Sequence, residues 1–143
     1  GEVVAGFDGS ADAEAALDYA LEQAVARGAR LRVVYVQQTP VLAPQAAGYG
    51  PLLAGAVENE AADIRQRLAP WRDKHPGVDL AESVVPGHPV PVLADASRSA
   101  ALVVIGSRGL GGFAAAVLGS VCHGLLHRAH CPVAVVRAPW RRS

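Results

Sequence analysis

Residues 106–121 read GSRGLGGFAAAVLGSV and are the stretch of the chain best suited to chemistry. Gly106, Gly109, Gly111, Gly112 and Gly119 leave much of the backbone uncovered by side chains. Bare N–H groups in turn conformations make concavities that hold anions. Gly119 and Ser120 also stand where a helix should start, and there the unpaired N–H groups and the helix dipole favour a phosphate. The Ser120 hydroxyl could donate to a phosphate oxygen or simply cap the helix, and Arg108 is within the loop with a guanidinium that could reach a phosphate. The segment has no Walker lysine, and no GxGxxG fingerprint follows the first strand. Its place after an apolar strand and before a helix is the context a phosphate loop requires. A tight turn built for geometry alone remains the competing reading.

Other reactive residue types are less organised. His123 and His127 are four apart on a helix, with His130 and Cys131 close behind. That spacing can bind a metal, but an ordinary helix surface explains it as well, and no metal site is expected. Asp8 could act as a base, but no partnered nucleophile accompanies it, so a binding role is favoured and no catalytic residue is assigned. Ser107 and Ser120 have no Ser-His-Asp context. Cys122 and Cys131 are nine apart and do not form a disulfide framework; two reduced thiols are expected. Trp71 sits at helical core spacing and Trp140 in the tail, so neither suggests base stacking.

The elements that would position these residues follow from composition and periodicity. The chain has 143 residues, 13 Lys+Arg against 13 Asp+Glu, 51% hydrophobic and 18% charged residues. That is a single globular domain with enough apolar material for a core. Zero net charge argues against nucleic acid and membrane surfaces as partners. Residues 110–126 are too short, too glycine-rich and too polar at His123 for a membrane span. The first residues alternate like a strand with no basic start, so no secretion leader is expected and the location is read as cytoplasmic.

The short apolar run at 2–7 fits a strand buried on both faces, and strands are also predicted at 30–36, rich in β-branched residues, and at 79–85, 101–105 and 133–137. Helical periodicity predicts helices over 11–27, 56–75, 89–99 and 120–129. Ser10 or Asp12 should cap the first helix and Gly28 should stop it. Residues 37–55 carry Pro40, Pro44, Gly48, Gly50 and Pro51 without a period, and predict a long loop. Five strands alternating with four helices imply an α/β fold with a parallel sheet and right-handed crossovers. Ligands in such sheets bind beyond the carboxyl ends of the strands. That rule selects residues 7–10, Val36 and residues 106–120.

The loop fits G-x2-G-x9-G-[ST]: Gly106, two residues, Gly109, nine residues, then Gly119 and Ser120. With the opening VVAGFDGS and the closing HCPVAVVR, it resembles the ATP-binding branch of the universal stress protein family over the whole chain. The resemblance implies a three-layer domain with a five-stranded parallel sheet of order 3-2-1-4-5 and four flanking helices, the adenine nucleotide alpha-hydrolase-like fold. It implies that Gly6, Phe7 and Asp8 border the adenosine and that Val36 contacts adenine mainly through its backbone. Ile105, Gly106, Arg108 and Gly109 would line ribose and phosphates. Gly119, Ser120 and Val121 would hold the phosphates. ATP with Mg²⁺ or Mn²⁺ is the implied ligand, the cation held mainly by the phosphates. Phe7 departs from the pattern, since a small aliphatic residue is commoner there.

The resemblance also points to a homodimer through the edge strand, from Val133 to Arg137, whose apolar β-branched run invites pairing. The alternative is an edge covered by the tail, with Trp140 folded over it. Three functions stay open at this point: a regulatory module that senses or sequesters ATP; a slow ATPase or phosphoryl or nucleotidyl transferase; and a dimerisation or interaction module that binds no nucleotide.

Overall fold

The computed structural model describes residues 1–37, 50–108 and 119–139, with side chains described from residue 59 onward in the second helix. The elements run β1 (Glu2–Gly6), α1 (Ala11–Arg27), β2 (Leu31–Gln37), α2 (Gly50–Arg67), α3 (Ala69–Lys74), β3 (Leu80–Pro86), α4 (Pro89–Ser97), β4 (Ala100–Gly106), α5 (Ser120–Arg128) and β5 (Val133–Val136). The sheet has the order β3-β2-β1-β4-β5, and all four pairings are parallel. β1 is central, with Val3, Val4 and Ala5 wholly buried.

Alternation along the strands divides the core in two. Val3, Ala5, Leu31, Val33, Leu102 and Val104 pack with α1, with Ile64 of α2, with Leu68 between α2 and α3, and with Trp71 of α3. Val4, Val34, Val103 and Ile105 pack with Leu93 of α4 and with Cys122 and Leu125 of α5. Both faces of the sheet are therefore covered at its centre, which is why β1 and β4 read as nearly continuous apolar runs.

Ser10 caps α1, its hydroxyl accepting from the Ala13 N–H at 3.1 Å. Gly28 ends the helix at φ 60°, where a side chain would be strained. Asp12 is not the cap; it is buried and used otherwise.

The single helix expected over 56–75 is instead two, α2 and α3, which together occupy one place beside the sheet. Pro70 has no N–H for the Gln66 carbonyl, so the chain restarts, with the Trp71 N–H bonded to the Leu68 carbonyl at 3.1 Å. Helix also begins earlier than expected, at Gly50. Pro51 was counted among loop signals, yet a proline fits a helix's first turn, where its missing N–H costs nothing. The rest of the expected loop, 38–49, lies outside the described residues. None of the described helices is long and apolar enough to cross a membrane.

Candidate functional site

Strand order reverses between β1 and β4: crossovers run one way from β1 to β3 and the other way from β4 to β5. The carboxyl ends of these two neighbours are where an α/β sheet opens to a ligand.

Gly6 ends β1 on the face covered by α4 and α5. A Cβ there would stand 3.1 Å from Leu93 Cδ1 and 3.2 Å from Ile105 Cγ2. Ile105 is buried on that face, and Val36 and Val121 pack against the same cluster. Four of the expected site positions thus converge on one side of the sheet at its carboxyl end. Phe7 turns the other way. Its ring is buried with the α1 cluster, edge-on to Trp71 at 6.4 Å between centroids, with the Arg67 guanidinium 5.6 Å above it. The aromatic side chain at this position therefore fills core on the α1 face, and only its backbone runs past the Gly6 side. Trp71 in turn donates its indole N–H to Asp18 at 2.7 Å. Asp8 folds back on the turn, its Oδ1 accepting from the Ser10 N–H at 2.9 Å.

At the end of β4 the chain is bound on every side through Ser107, which is 3% exposed. Its N–H donates to the Val136 carbonyl of β5 at 2.8 Å, and its carbonyl accepts from the Gly119 N–H at 2.7 Å. Its hydroxyl donates to Asp12 at 2.7 Å. The second of these bonds draws the start of α5 against the end of β4. Gly119 is the N-cap of α5, and the helix has no side-chain cap bond. Ser120 therefore does not cap; it is exposed at the first helical position.

Arg108 is 3.4 Å from the Asp12 carboxylate through Nε and donates its backbone N–H there at 3.2 Å. Gly106 presses on α1: a Cβ would be 2.8 Å from the backbone carbon and the Cβ of Asp12. Gly109 lies outside the described residues.

Asp12 is the residue that sequence reasoning missed. Burial pushes its carboxyl up, but the Ala138 N–H, the Ser107 hydroxyl and Arg108 outweigh that and hold it below the ordinary carboxylate value. An acid in a first helical turn is commonplace, which hid it. The available signal was its place four residues before Ala16, on the stripe that α1 buries.

At the end of β2, the Tyr35 hydroxyl and the Gln37 amide both donate to Glu60 of α2. That carboxylate, aided by burial, pushes the Tyr35 phenol up to about 12. Cys122 and Cys131 are free, Cys122 buried, with thiols pushed up by burial. Among the described residues no three His, Cys, Asp or Glu side chains are grouped to hold a metal ion.

A parallel sheet of this order with helices on both faces has the adenine nucleotide alpha-hydrolase-like fold. The sequence model of the universal stress protein family matches residues 1–137, and the chain belongs to that family. Universal stress protein Rv2005c of Mycobacterium tuberculosis is 38% identical over 136 residues, covering 94% of this chain and 45% of that protein. The chain thus spans about half the length of the curated relatives it matches. Among solved structures, UspA of Lactobacillus plantarum superposes with a TM-score of 0.79 at 22% identity, covering 95% of this chain and 97% of that one. A universal stress protein in complex with cAMP is 30% identical with a TM-score of 0.61, covering 94% of each chain.

Proposed function

We propose that this domain binds ATP at the carboxyl ends of β1 and β4 and serves as a nucleotide-sensing regulatory module in the stress response. The observation that carries the reading is the 2.7 Å bond from Gly119 N–H to the Ser107 carbonyl. It sets the unpaired N–H groups of α5 beside the strand end at the switch point, where they favour phosphate. A 30% identical family member in complex with cAMP supports an adenine nucleotide as the ligand. In this reading Gly6, Phe7 and Asp8 border the adenosine, the last two through backbone and turn, and Val36 meets the adenine. Ile105, Gly106, Arg108 and Gly109 line ribose and phosphates, while Ser120 and Val121 hold the phosphates and Gly119, whose N–H is taken by the Ser107 carbonyl, borders them without a side chain.

A divalent cation fits only as a companion of the triphosphate. Asp8 and Asp12 are already engaged by backbone and side-chain donors, so phosphate oxygens and water would be its ligands. Hydrolysis in this reading is slow and incidental: the Ser107 hydroxyl that donates to Asp12 is buried, and the reading assigns no group to orient a water. The test is calorimetry of the purified protein with ATP and Mg²⁺; the absence of binding, together with no co-purifying nucleotide, sinks the reading.

We further propose a homodimer through β5. The strand is at a sheet edge, and its VAVV run is apolar and β-branched. The chain after it turns onto α1 at Ala138, whose N–H bonds Asp12. Trp140, the residue expected to cover the edge in the alternative, lies outside the described residues.

A further inference from the structure

Asp12 is a buried acid for which the nucleotide reading has no use. Its carboxylate faces four donors from two other parts of the chain. Oδ2 takes the Ser107 hydroxyl at 2.7 Å and the Arg108 N–H at 3.2 Å, and lies 3.4 Å from Arg108 Nε. Oδ1 takes the Ala138 N–H at 2.9 Å. We propose that Asp12 is a positioning residue for the phosphate end of the site, acting through Ser107 to fix where α5 begins; this rests on the nucleotide reading above.

The line of contact is short and made of bonds. Asp12 orients the Ser107 hydroxyl, and the same serine's carbonyl holds the Gly119 N–H. A displaced Ser107 therefore displaces Gly119, and with it the helix terminus on which phosphate would rest. Only a carboxylate satisfies all four donors. An asparagine in either orientation turns an NH₂ toward at least one of them, and an alanine leaves the buried Ser107 hydroxyl without its acceptor. The close seating of Gly106 on Asp12 keeps the two segments in register, since a side chain there would push them apart. Gly6, Val36 and Ile105 stand on the opposite face of the sheet from α1, so the adenosine end should not feel the change.

The experiment compares the unmodified chain with Asp12→Asn and Ser107→Ala. The serine variant leaves Asp12 its backbone partners and guards against an aspartate variant that fails to fold. Hydrogen exchange without nucleotide should show the Gly119 amide losing about tenfold more protection in both than the amides of Val4 and Ala5, which report any loss of global stability. Calorimetry should show ATP weakened about tenfold while adenosine binds as before. Equal weakening of ATP and adenosine, or unchanged ATP binding, overturns the proposal. If the unmodified protein binds neither, the nucleotide reading falls with the role in phosphate binding. The exchange data then still judge the Asp12–Ser107–Gly119 linkage, which unchanged protection at Gly119 overturns.

Discussion

Gly106 and Asp12 meet so closely that a Cβ on the glycine would stand 2.8 Å from the Cβ of the aspartate. The glycine at the head of the G-x2-G-x9-G-[ST] pattern is thus required by the packing of β4 on α1, whatever the loop binds. Gly106→Ala should cost about 1–3 kcal/mol of stability, since neither backbone can yield cheaply. Gly77→Ala, where a Cβ meets nothing within 4 Å, should change stability little. Urea unfolding of the two variants checks the difference, and equal midpoints would contradict the close seating.

Acid should destabilise the fold in part through Asp12. Its carboxyl is held below the ordinary value of 3.8, so the unfolded chain takes up the proton first. The stabilisation is complete above that value and is lost as pH falls through the lower, folded one. Glu82, bonded by Arg65 and Arg72, is lowered from 4.5 and acts in the same direction. Melting temperature should fall as pH drops below about 4, and Asp12→Asn should flatten the fall while lowering the plateau at neutral pH. An identical acid profile in the variant would remove Asp12 from this account.

Gly119→Val should abolish ATP binding, because it sets a branched side chain at the N-cap where phosphate is proposed to rest. The sheet should survive, since Gly119 lies outside both buried clusters. In the unmodified protein, ligand at about 100 times its dissociation constant should raise stability by roughly 2.7 kcal/mol. Thermal melts with and without ATP and Mg²⁺ read both effects, and a variant still stabilised by ATP would move the phosphate elsewhere.

Val135→Lys should yield a folded monomer. A two-fold axis along β5 brings each strand beside its own copy, so the substitution sets like charges facing one another. Light scattering at tens of micromolar should show halved mass with an unchanged circular dichroism spectrum. An unmodified protein that is already monomeric refutes the β5 dimer.

The strands were legible because their runs are rich in apolar and β-branched residues, and predicted ends differ from observed ones by a residue or so, whereas their order was implied by the family resemblance and not by the runs themselves. α1 was legible to the residue, because Ser10 and Gly28 carry its two caps. Pro70 and Pro51 were not, since a proline breaks, starts or precedes a helix according to neighbours that local pattern does not contain. Of the site, residue positions could be read, but not where their side chains go. Phe7 alternates away from Gly6 along β1 and meets Trp71, 64 positions along the numbering. Asp12 finds its partners 95 and 126 residues away. Such meetings depend on which strands become neighbours.

The bond between Asp12 and Ala138 also bears on how the chain is made. β1 is the middle of the sheet yet is synthesised first, and one of its flanks stays open until β4 emerges. The α1 carboxylate, buried in the finished protein, has no partner until Ser107 appears, and its last partner comes 126 residues after it. The first half of the chain can therefore gather β1, β2 and α1, but cannot close around them while it is still on the ribosome. Contacts this distant also slow folding. Completion of the domain is thus a chemical event, the arrival of the final donor at a waiting acid. A chain cut short before Ala138 would carry that acid with its Oδ1 unanswered.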